Sequence, residues 1–175
     1  MRRVHVSDLP QTRLTAGEPI LLSGFVYTAR DAAHKRIAQA LSKGEEPPFP
    51  IMGSVIYYAG PTPAPPGRVI GSCGPTTSGR MDSYAPALYD LGLSATVGKG
   101  QRDVAVRGAI ARNRALYLCA VGGAGALIAS KVISCEAVAY EDLGCEAVHR
   151  LEFADLPLIV AIDREGNDLF NFSQA

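Results

Sequence analysis

The sequence predicts a domain of the α/β class, built as a mixed β-sheet layered with helices. Strand-like apolar runs alternate with helix-like segments through residue 129, and several strand-like runs then follow one another. An alternation followed by consecutive strands indicates a mixed sheet with helices packed on it. The 175 residues, 47% of them hydrophobic, are enough for a core, so residues 1–175 are expected to form one domain.

The N-terminal part is predicted to contain one strand and one helix. Residues 20–27 are largely apolar and follow a turn at Gly17, which indicates a buried strand. Residues 30–41 place apolar side chains at helical spacing on one face and basic side chains elsewhere. Gly44 ends this helix, and the proline-rich residues 45–50 exclude helix and indicate an exposed loop.

The middle of the chain is predicted to contain a strand, a stiff loop and a second helix. Residues 54–59 have the composition of a strand, and the proline-rich residues 60–67 are expected to form a stiff loop within the same domain. Residues 68–70 are a short apolar run that we expect to end a further buried strand. A stretch rich in glycine and hydroxyl groups, residues 71–82, follows it, and a helix is expected over about residues 80–91.

The remaining elements alternate first and then become consecutive strands. We expect a helix at 103–112, a small-residue helix through Ala129, and strands at 95–98, 116–121, 132–140, 146–153 and 157–163. Residues 163–167 have the composition of a hairpin turn. The glycines at 122, 123 and 125 do not fit a dinucleotide-binding fingerprint, because Ile128 stands where that pattern needs Gly or Ala. Close packing of a helix on the sheet explains them better.

Charge and cysteine content exclude several classes of function. The 17 basic and 17 acidic side chains cancel, so a nucleic-acid partner is not expected. The N-terminus has no apolar signal segment and no apolar run is long enough to cross a bilayer, so we expect no membrane association and a cytoplasmic location. The cysteines at 73, 119, 135 and 145 and the histidines at 5, 34 and 149 form no spacing typical of a metal site.

Residues 71–82 form the stretch around which the functional prediction is built. Gly71 and Gly74 permit unusual backbone conformations, and Pro75 favours the first turn of a helix. Thr76 to Ser78 add hydroxyls and backbone N–H groups, and Arg80 lies one helical turn beyond Thr76. A helix start next to a fixed positive charge can bind an anion. The alternative is a strand-to-helix turn whose hydroxyls only cap the helix.

Two more cations follow predicted strands. Arg30 lies where a strand passes into a helix, a place where open α/β sheets bind ligands. The alternative is that Arg30 pairs with Asp31 or with a surface carboxylate, while Asp31 caps the helix and His34 is structural. Lys99 lies between two glycines beyond another strand, where it would be a point charge for an anion. The alternative there is an exposed lysine in a turn.

Taken together, these residues predict a binding site for a small dicarboxylate. Arg30, Arg80 and Lys99 each follow an apolar run, and Thr76 precedes Arg80 by one turn. If the strand ends lie side by side, three cations and a hydroxyl face one pocket, which would suit a ligand with two carboxylates.

The same residues resemble a known family. Segments 29–34, 74–82, 98–100 and 163–170 are similar to the β subunit of iron–sulfur hydro-lyases, the group of class I fumarases and L-tartrate dehydratases, and the resemblance covers about residues 14–172. It implies a swivelling β/β/α domain that closes against an α partner, expected as an α2β2 assembly. That α subunit would hold a [4Fe–4S] cluster through three cysteines, and its open iron would act as a Lewis acid.

The resemblance also implies roles for individual residues. Thr76 matches the family's catalytic threonine, proposed as the base that takes the C3 proton. Arg30, Arg80 and Lys99 match its ligands for the substrate carboxylates, and Thr77 is grouped with them. The implied reaction is the reversible hydration of fumarate to (S)-malate, with L(+)-tartrate dehydration or a non-catalytic dicarboxylate-binding module as alternatives.

Overall fold

The computed structural model describes the backbone of residues 1–174 and the side chains of residues 1–171. The described chain contains seven β-strands, which run over Arg2–His5 (β1), Pro19–Thr28 (β2), Val55–Tyr57 (β3), Ala95–Gly98 (β4), Leu116–Cys119 (β5), Val132–Ala139 (β6) and Val148–Ile162 (β7). The α-helices in the same part of the chain are Asp31–Ser42 (α1), Ala85–Asp90 (α2), Val104–Asn113 (α3) and Gly125–Ala129 (α4). Short 3₁₀ segments cover Val6–Gln11, Ser78–Met81, Glu141–Glu146 and Leu169–Gln174. The mixed α/β class is therefore confirmed.

The sheet combines parallel and antiparallel pairs. Strands β1 to β5 are neighbours in chain order and all pair in parallel. The long strand β7 pairs antiparallel with β2, with β5 and with the edge strand β6. The pairings from β2 through β3, β4, β5 and β7 back to β2 therefore form a closed circuit. Because β2 to β5 are parallel, their carboxyl ends lie at one edge of the sheet.

Alternate strand residues supply two hydrophobic clusters on opposite faces of the sheet. Leu116 and Leu118 of β5 belong to a cluster built mostly from strand side chains. Tyr117, between them, belongs to a second cluster that includes Ile37 of α1 and Ile110 of α3. This period of two is what a pleated strand with both faces covered requires. Helices α1, α2 and α3 thus cover one face, and the other is enclosed by the strands of the circuit together with Ile128 of α4.

The structure corrects four of the predicted elements. Residues 68–70 form no strand; they belong to an irregular loop in which Thr62 N donates to Ser72 O at 3.0 Å and Gly71 N donates to Thr62 O at 3.0 Å. The predicted helix at 80–91 is only the 3₁₀ segment Ser78–Met81 followed by α2, because Pro86 lies in the first turn of α2 and disfavours helix before it.

The two predicted strands at 146–153 and 157–163 are the single strand β7. Asp155 adopts a left-handed conformation with φ of 56°, and the pairing register with β2 shifts near it, so the strand bends without ending. Pro157 remains in the ladder opposite Leu21. The sequence analysis also missed β1. No helix of the described residues is long and apolar enough to cross a membrane.

A buried arginine joins the loop at 78–82 to the turn after β4. The side chain of Arg102 is 0% exposed, and its Nε donates to the Asp82 carboxylate at 2.6 Å. Its other nitrogens donate to the hydroxyls of Thr96 at 3.0 Å and Tyr58 at 3.2 Å. The guanidinium also lies over the rings of Tyr58 and Tyr117, at 5.2 Å and 4.9 Å from the centroids. A buried charge requires this degree of pairing, because its desolvation is costly.

His34 is a second buried polar group and lies in the first turn of α1. The residue is 1% exposed, and its Nδ1 lies 2.9 Å from the carbonyl oxygen of Arg30, which accepts a hydrogen bond from it. Its Nε2 is buried without a partner among the described residues. Burial lowers the pKa of His34 to about 4, so the ring is neutral at pH 7.

We predict that Arg102→Met destabilises the chain by about 3 to 5 kcal/mol, because the Asp82 carboxylate stays largely buried without its counter-ion. Urea unfolding measures the loss. The matched control is Arg112→Met, which breaks an ion pair with Asp90 whose two side chains are half-exposed. That change should cost less than about 1 kcal/mol. Equal losses in the two variants would contradict the central place given to Arg102.

We also predict an acid-sensitive contribution from His34. The pKa of His34 is lower in the folded chain than in the unfolded chain, so the unfolded chain binds more protons below pH 6.5. The free energy of unfolding therefore falls as the pH drops from 6.5 towards 4, by up to about 3 kcal/mol. His34→Phe should remove this part of the pH dependence of unfolding, whereas His5→Phe, on an exposed side chain, should leave it. The same pH dependence in wild type and His34→Phe would refute the assignment.

Candidate functional site

The segment 76–80 lies across the carboxyl ends of β3 and β4. Thr76 N donates to the carbonyl of Tyr58, just after β3, at 2.6 Å. Ser78 N donates to the carbonyl of Lys99, just after β4, at 2.9 Å, and Thr77 forms an isolated parallel bridge with Lys99. The predicted meeting of these two segments at one sheet edge is therefore observed.

Close packing explains the glycine that precedes Lys99. A Cβ on Gly98 would collide with the Ser78 hydroxyl, so this strand end must lack a side chain to let the segment approach. The Tyr117 hydroxyl lies 2.9 Å from Ser78 Oγ and 2.8 Å from the carbonyl oxygen of Gly100, which ties the segment to the turn after β4. The group that approaches the backbone next to Lys99 is thus a segment of this chain, the one that contains Ser78, and not a ligand.

The predicted helix N-terminus for an anion is not present. The N–H groups of Thr76 and Ser78 already donate to backbone carbonyls, and only a four-residue 3₁₀ segment follows. The capping alternative does not hold either, because Thr77 precedes that segment and makes no side-chain cap. The backbone amides of Thr76 and Ser78 are therefore not free to bind an anion.

Arg80 is held by a carboxylate of the neighbouring helix. Its Nε and Nη2 donate to the two Asp31 oxygens at 3.0 Å and 2.8 Å, while half of the arginine side chain stays exposed. Asp31 does not cap α1, contrary to the alternative raised from the sequence, because Arg30 occupies the N-cap position and no side-chain cap is made. Arg80 and Arg30 are therefore brought close to one carboxylate.

Arg30 also contacts a second carboxylate. Its Nε lies 3.2 Å from Glu146 Oε1 and 4.0 Å from Asp31 Oδ2, which is the ion pairing raised as the alternative for this residue. The Glu146 contact has the distance but not the angles of a hydrogen bond, and Arg30 Nε is a buried donor that has no hydrogen-bond partner within the described part of the chain. A Cβ on Gly60 would lie 3.2 Å from Arg30 Nη1, so this glycine leaves room for the guanidinium.

Lys99 approaches the loop after β5. Its side chain is half-buried, and a Cβ built on Gly122 would lie 4.0 Å from Lys99 Nζ. Among residues 1–171 no carboxylate lies within ion-pair distance of Lys99. Its ammonium is thus available for a negatively charged ligand, whereas Asp31 already occupies one edge of the Arg80 guanidinium.

The two threonines differ in exposure. Thr76 is half-buried and Thr77 is exposed. Within the described residues neither hydroxyl makes a side-chain hydrogen bond to the protein, so no side chain here acts as a base towards Thr76. The ionised groups around this edge are three cations, Arg30, Arg80 and Lys99, and two anions, Asp31 and Glu146. This leaves a net positive charge for a ligand.

Sequence reasoning missed the residues that hold this edge together. Arg102 carries no sequence signal, because a basic residue after a turn is ordinarily exposed. Asp82 stands inside the motif, and its carboxylate accepts from Arg102 and, at 2.8 Å, from the backbone N–H of Asp103. Glu146 is distant in sequence and was not considered.

The described residues do not offer a ligand set for a metal cluster. No group of three His, Cys, Asp or Glu side chains among them is arranged to hold a metal ion. Cys73, the cysteine nearest the motif, is buried, and burial raises the pKa of its thiol to about 12, whereas a ligand must be a thiolate. An iron–sulfur cluster therefore does not fit the described residues of this chain as they are arranged here.

Comparison with known proteins identifies relatives of two kinds. Residues 3–173 match the sequence model of the family described as Fumarase C-terminus. The chain is 40% identical over 151 residues to an Escherichia coli protein named fumarate hydratase class I, anaerobic, covering 85% of this chain. It is 39% identical over 159 residues to fumarate hydratase 2 of Leishmania major, covering 89% of this chain. The chain spans only 28% of the length of each of these two relatives.

A third relative has nearly the size of this chain. A protein of Methanocaldococcus jannaschii named putative L(+)-tartrate dehydratase subunit beta is 38% identical over 164 residues, covering 90% of this chain and 84% of the relative. The resemblance drawn from the motifs is thereby confirmed, including its β-subunit type. By the match over nearly its whole length, this chain belongs to the Fumarase C-terminus family.

Proposed function

We propose that this chain is the β-type half of an iron–sulfur hydro-lyase that interconverts fumarate and (S)-malate together with an α partner. The observation that carries the proposal is the bridge between the loop residue Thr77 and Lys99, just after β4, with Thr76 beside it and Arg80 three residues further along the same segment. The names of the longer relatives support the reaction class.

In this proposal the cations bind the two substrate carboxylates. An arginine offers paired N–H donors that match the two oxygens of a carboxylate, and a lysine offers a compact point charge. Arg30 and Arg80 both lie within ion-pair distance of Asp31, and Lys99 lacks a carboxylate partner among the described residues. Thr77 would add a hydroxyl donor at the same edge. A dicarboxylate would then be oriented at both ends.

Thr76 is proposed to take the C3 proton of (S)-malate. An alcohol is a poor base, so its alkoxide must be stabilised by nearby positive charge. Arg80 lies on the same segment as Thr76, and Lys99 lies on a segment that is hydrogen-bonded to it. The Thr76 hydroxyl makes no side-chain hydrogen bond within the described chain that would compete. In dehydration the C3 proton passes to the Thr76 alkoxide, the electron pair of the C3–H bond forms the C2=C3 double bond, and the C2 hydroxyl leaves; hydration reverses these steps.

We propose that the [4Fe–4S] cluster implied by the resemblance is held by the α partner, in an α2β2 assembly. The support is that the described residues of this chain contain no suitable ligand set. The β-subunit name of the third relative agrees with a two-chain enzyme. We also propose that residues 1–175 act as one domain, because one sheet carries both hydrophobic clusters. A cytoplasmic location agrees with the four free cysteines.

A second candidate is L(+)-tartrate dehydration. It is favoured by the third relative, of which this chain covers 84%. Tartrate has the same two carboxylates as malate and one more hydroxyl, and the described site shows no side chain dedicated to that hydroxyl. A non-catalytic dicarboxylate-binding module would use the same cations without turnover.

We predict that the chain assembled with its cluster-bearing partner hydrates fumarate to (S)-malate and prefers this pair to L(+)-tartrate. Turnover of the three compounds under anaerobic conditions measures the preference. Faster turnover of tartrate would assign the second function. Binding of succinate, an unreactive dicarboxylate, without turnover of any of the three would leave only the binding module.

We predict that Thr76→Ala lowers kcat at least 10²-fold, with little effect on KM, because it removes the proton acceptor and leaves the cations in place. Steady-state kinetics of the assembled enzyme measure both constants. Thr76→Ser keeps the hydroxyl and is the matched control, expected to retain far more activity than Thr76→Ala. Wild-type kcat in Thr76→Ala would refute its role.

A further inference from the structure

The Asp31 carboxylate is within ion-pair distance of both arginines of the site. Its two oxygens accept from Arg80 Nε and Nη2 at 3.0 Å and 2.8 Å, and its Oδ2 lies 4.0 Å from Arg30 Nε. Asp31 is the first residue of α1, which begins directly after Arg30. Asp31 therefore follows Arg30 directly in the chain and binds the guanidinium of Arg80.

The geometry of the pair leaves part of Arg80 free for a ligand. A guanidinium has two edges that can each bind a carboxylate with two hydrogen bonds: one formed by Nε and Nη2, the other by Nη1 and Nη2. Asp31 occupies the first edge, and the described residues make no hydrogen bond to Nη1. With one edge fixed, the plane and direction of the other edge are fixed as well.

Other roles for Asp31 explain the observations less well. It does not cap α1, because no side-chain cap hydrogen bond is made at that end. A purely electrostatic effect on the helix dipole would not require both oxygens to bind Arg80. Nor would an ordinary surface ion pair matter much, because such pairs contribute little to stability. The two-point contact with Arg80 is what a positioning role requires.

We propose that Asp31 is a positioning residue, which holds the Arg80 guanidinium in the orientation that binds a substrate carboxylate. The inference rests on the proposed function and adds a residue to it. An arginine side chain that no neighbour holds loses conformational freedom each time a ligand binds, and this entropic cost weakens binding. The loss of one nearby negative charge acts in the opposite sense and is common to Asp31→Ala and Asp31→Asn. Because only Asn keeps an acceptor oxygen for Arg80, the difference between the two variants measures the positioning effect.

The test is a double-mutant cycle in the enzyme assembled with its cluster-bearing partner. Asp31→Ala should lower kcat/KM about tenfold or more, mainly through KM, because Arg80 binds the carboxylate both before and during the reaction. The inhibition constant of succinate should rise by a similar factor. Asp31→Asn should fall between wild type and Asp31→Ala. In an Arg80→Ala background, Asp31→Ala should change kcat/KM less than twofold, because its effect acts through Arg80.

The matched control is Asp90→Ala, which is outside the site. It breaks a two-point contact of the same kind, in which Arg112 donates to Asp90 at 2.8 Å and 2.7 Å, and it should leave kcat/KM unchanged. A wild-type kcat/KM in Asp31→Ala, or the same loss with and without Arg80, would overturn the positioning role alone. A wild-type assembly that turns over none of fumarate, (S)-malate or L(+)-tartrate would instead overturn the proposed function.

Discussion

The buried Arg102 guanidinium is the interaction on which the arrangement of this sheet edge depends. It joins the Asp82 carboxylate, at the end of the segment that carries Thr76 and Arg80, to the turn that follows Lys99. Removing such a charge from water is costly, and the hydroxyls of Thr96 and Tyr58 help to offset the cost by accepting its remaining hydrogen bonds. This pairing fixes the segment on its buried side and leaves its exposed side for a ligand.

In the rest of the site, too, some groups hold the structure together and others are left free for a ligand. The amides of Thr76 and Ser78 and the hydroxyl of Ser78 are used to attach the segment to its neighbours. Lys99 keeps its charge without a carboxylate partner among the described residues, and Arg80 keeps one edge of its guanidinium. A chain organised in this way supplies binding groups and a hydroxyl, which agrees with a β-type half that completes its active site with a partner.

The sequence predicted the parts of this account that depend on local pattern. Apolar runs located β2, β4 and β5, and the residues that follow two of these runs, Arg30 and Lys99, lie at the predicted edge. The closure of the sheet through β7, and the contacts that Arg102 and Asp31 make, join residues far apart in the chain, and no local pattern encodes them. The loop predicted over residues 60–67 is present, and only the expectation that residues 68–70 end a strand is wrong, because a run of three residues is too short to distinguish a strand from an apolar stretch of loop.

The central claim is that Arg30, Arg80 and Lys99 bind one dicarboxylate together. The most direct measurement is a crystal structure of the chain assembled with its α partner and (S)-malate. The account predicts both carboxylates within hydrogen-bond distance of these three side chains, C3 facing the Thr76 hydroxyl, and the contact between Asp31 and Arg80 intact. A ligand bound away from Lys99, or one whose C3 faces away from Thr76, would contradict it.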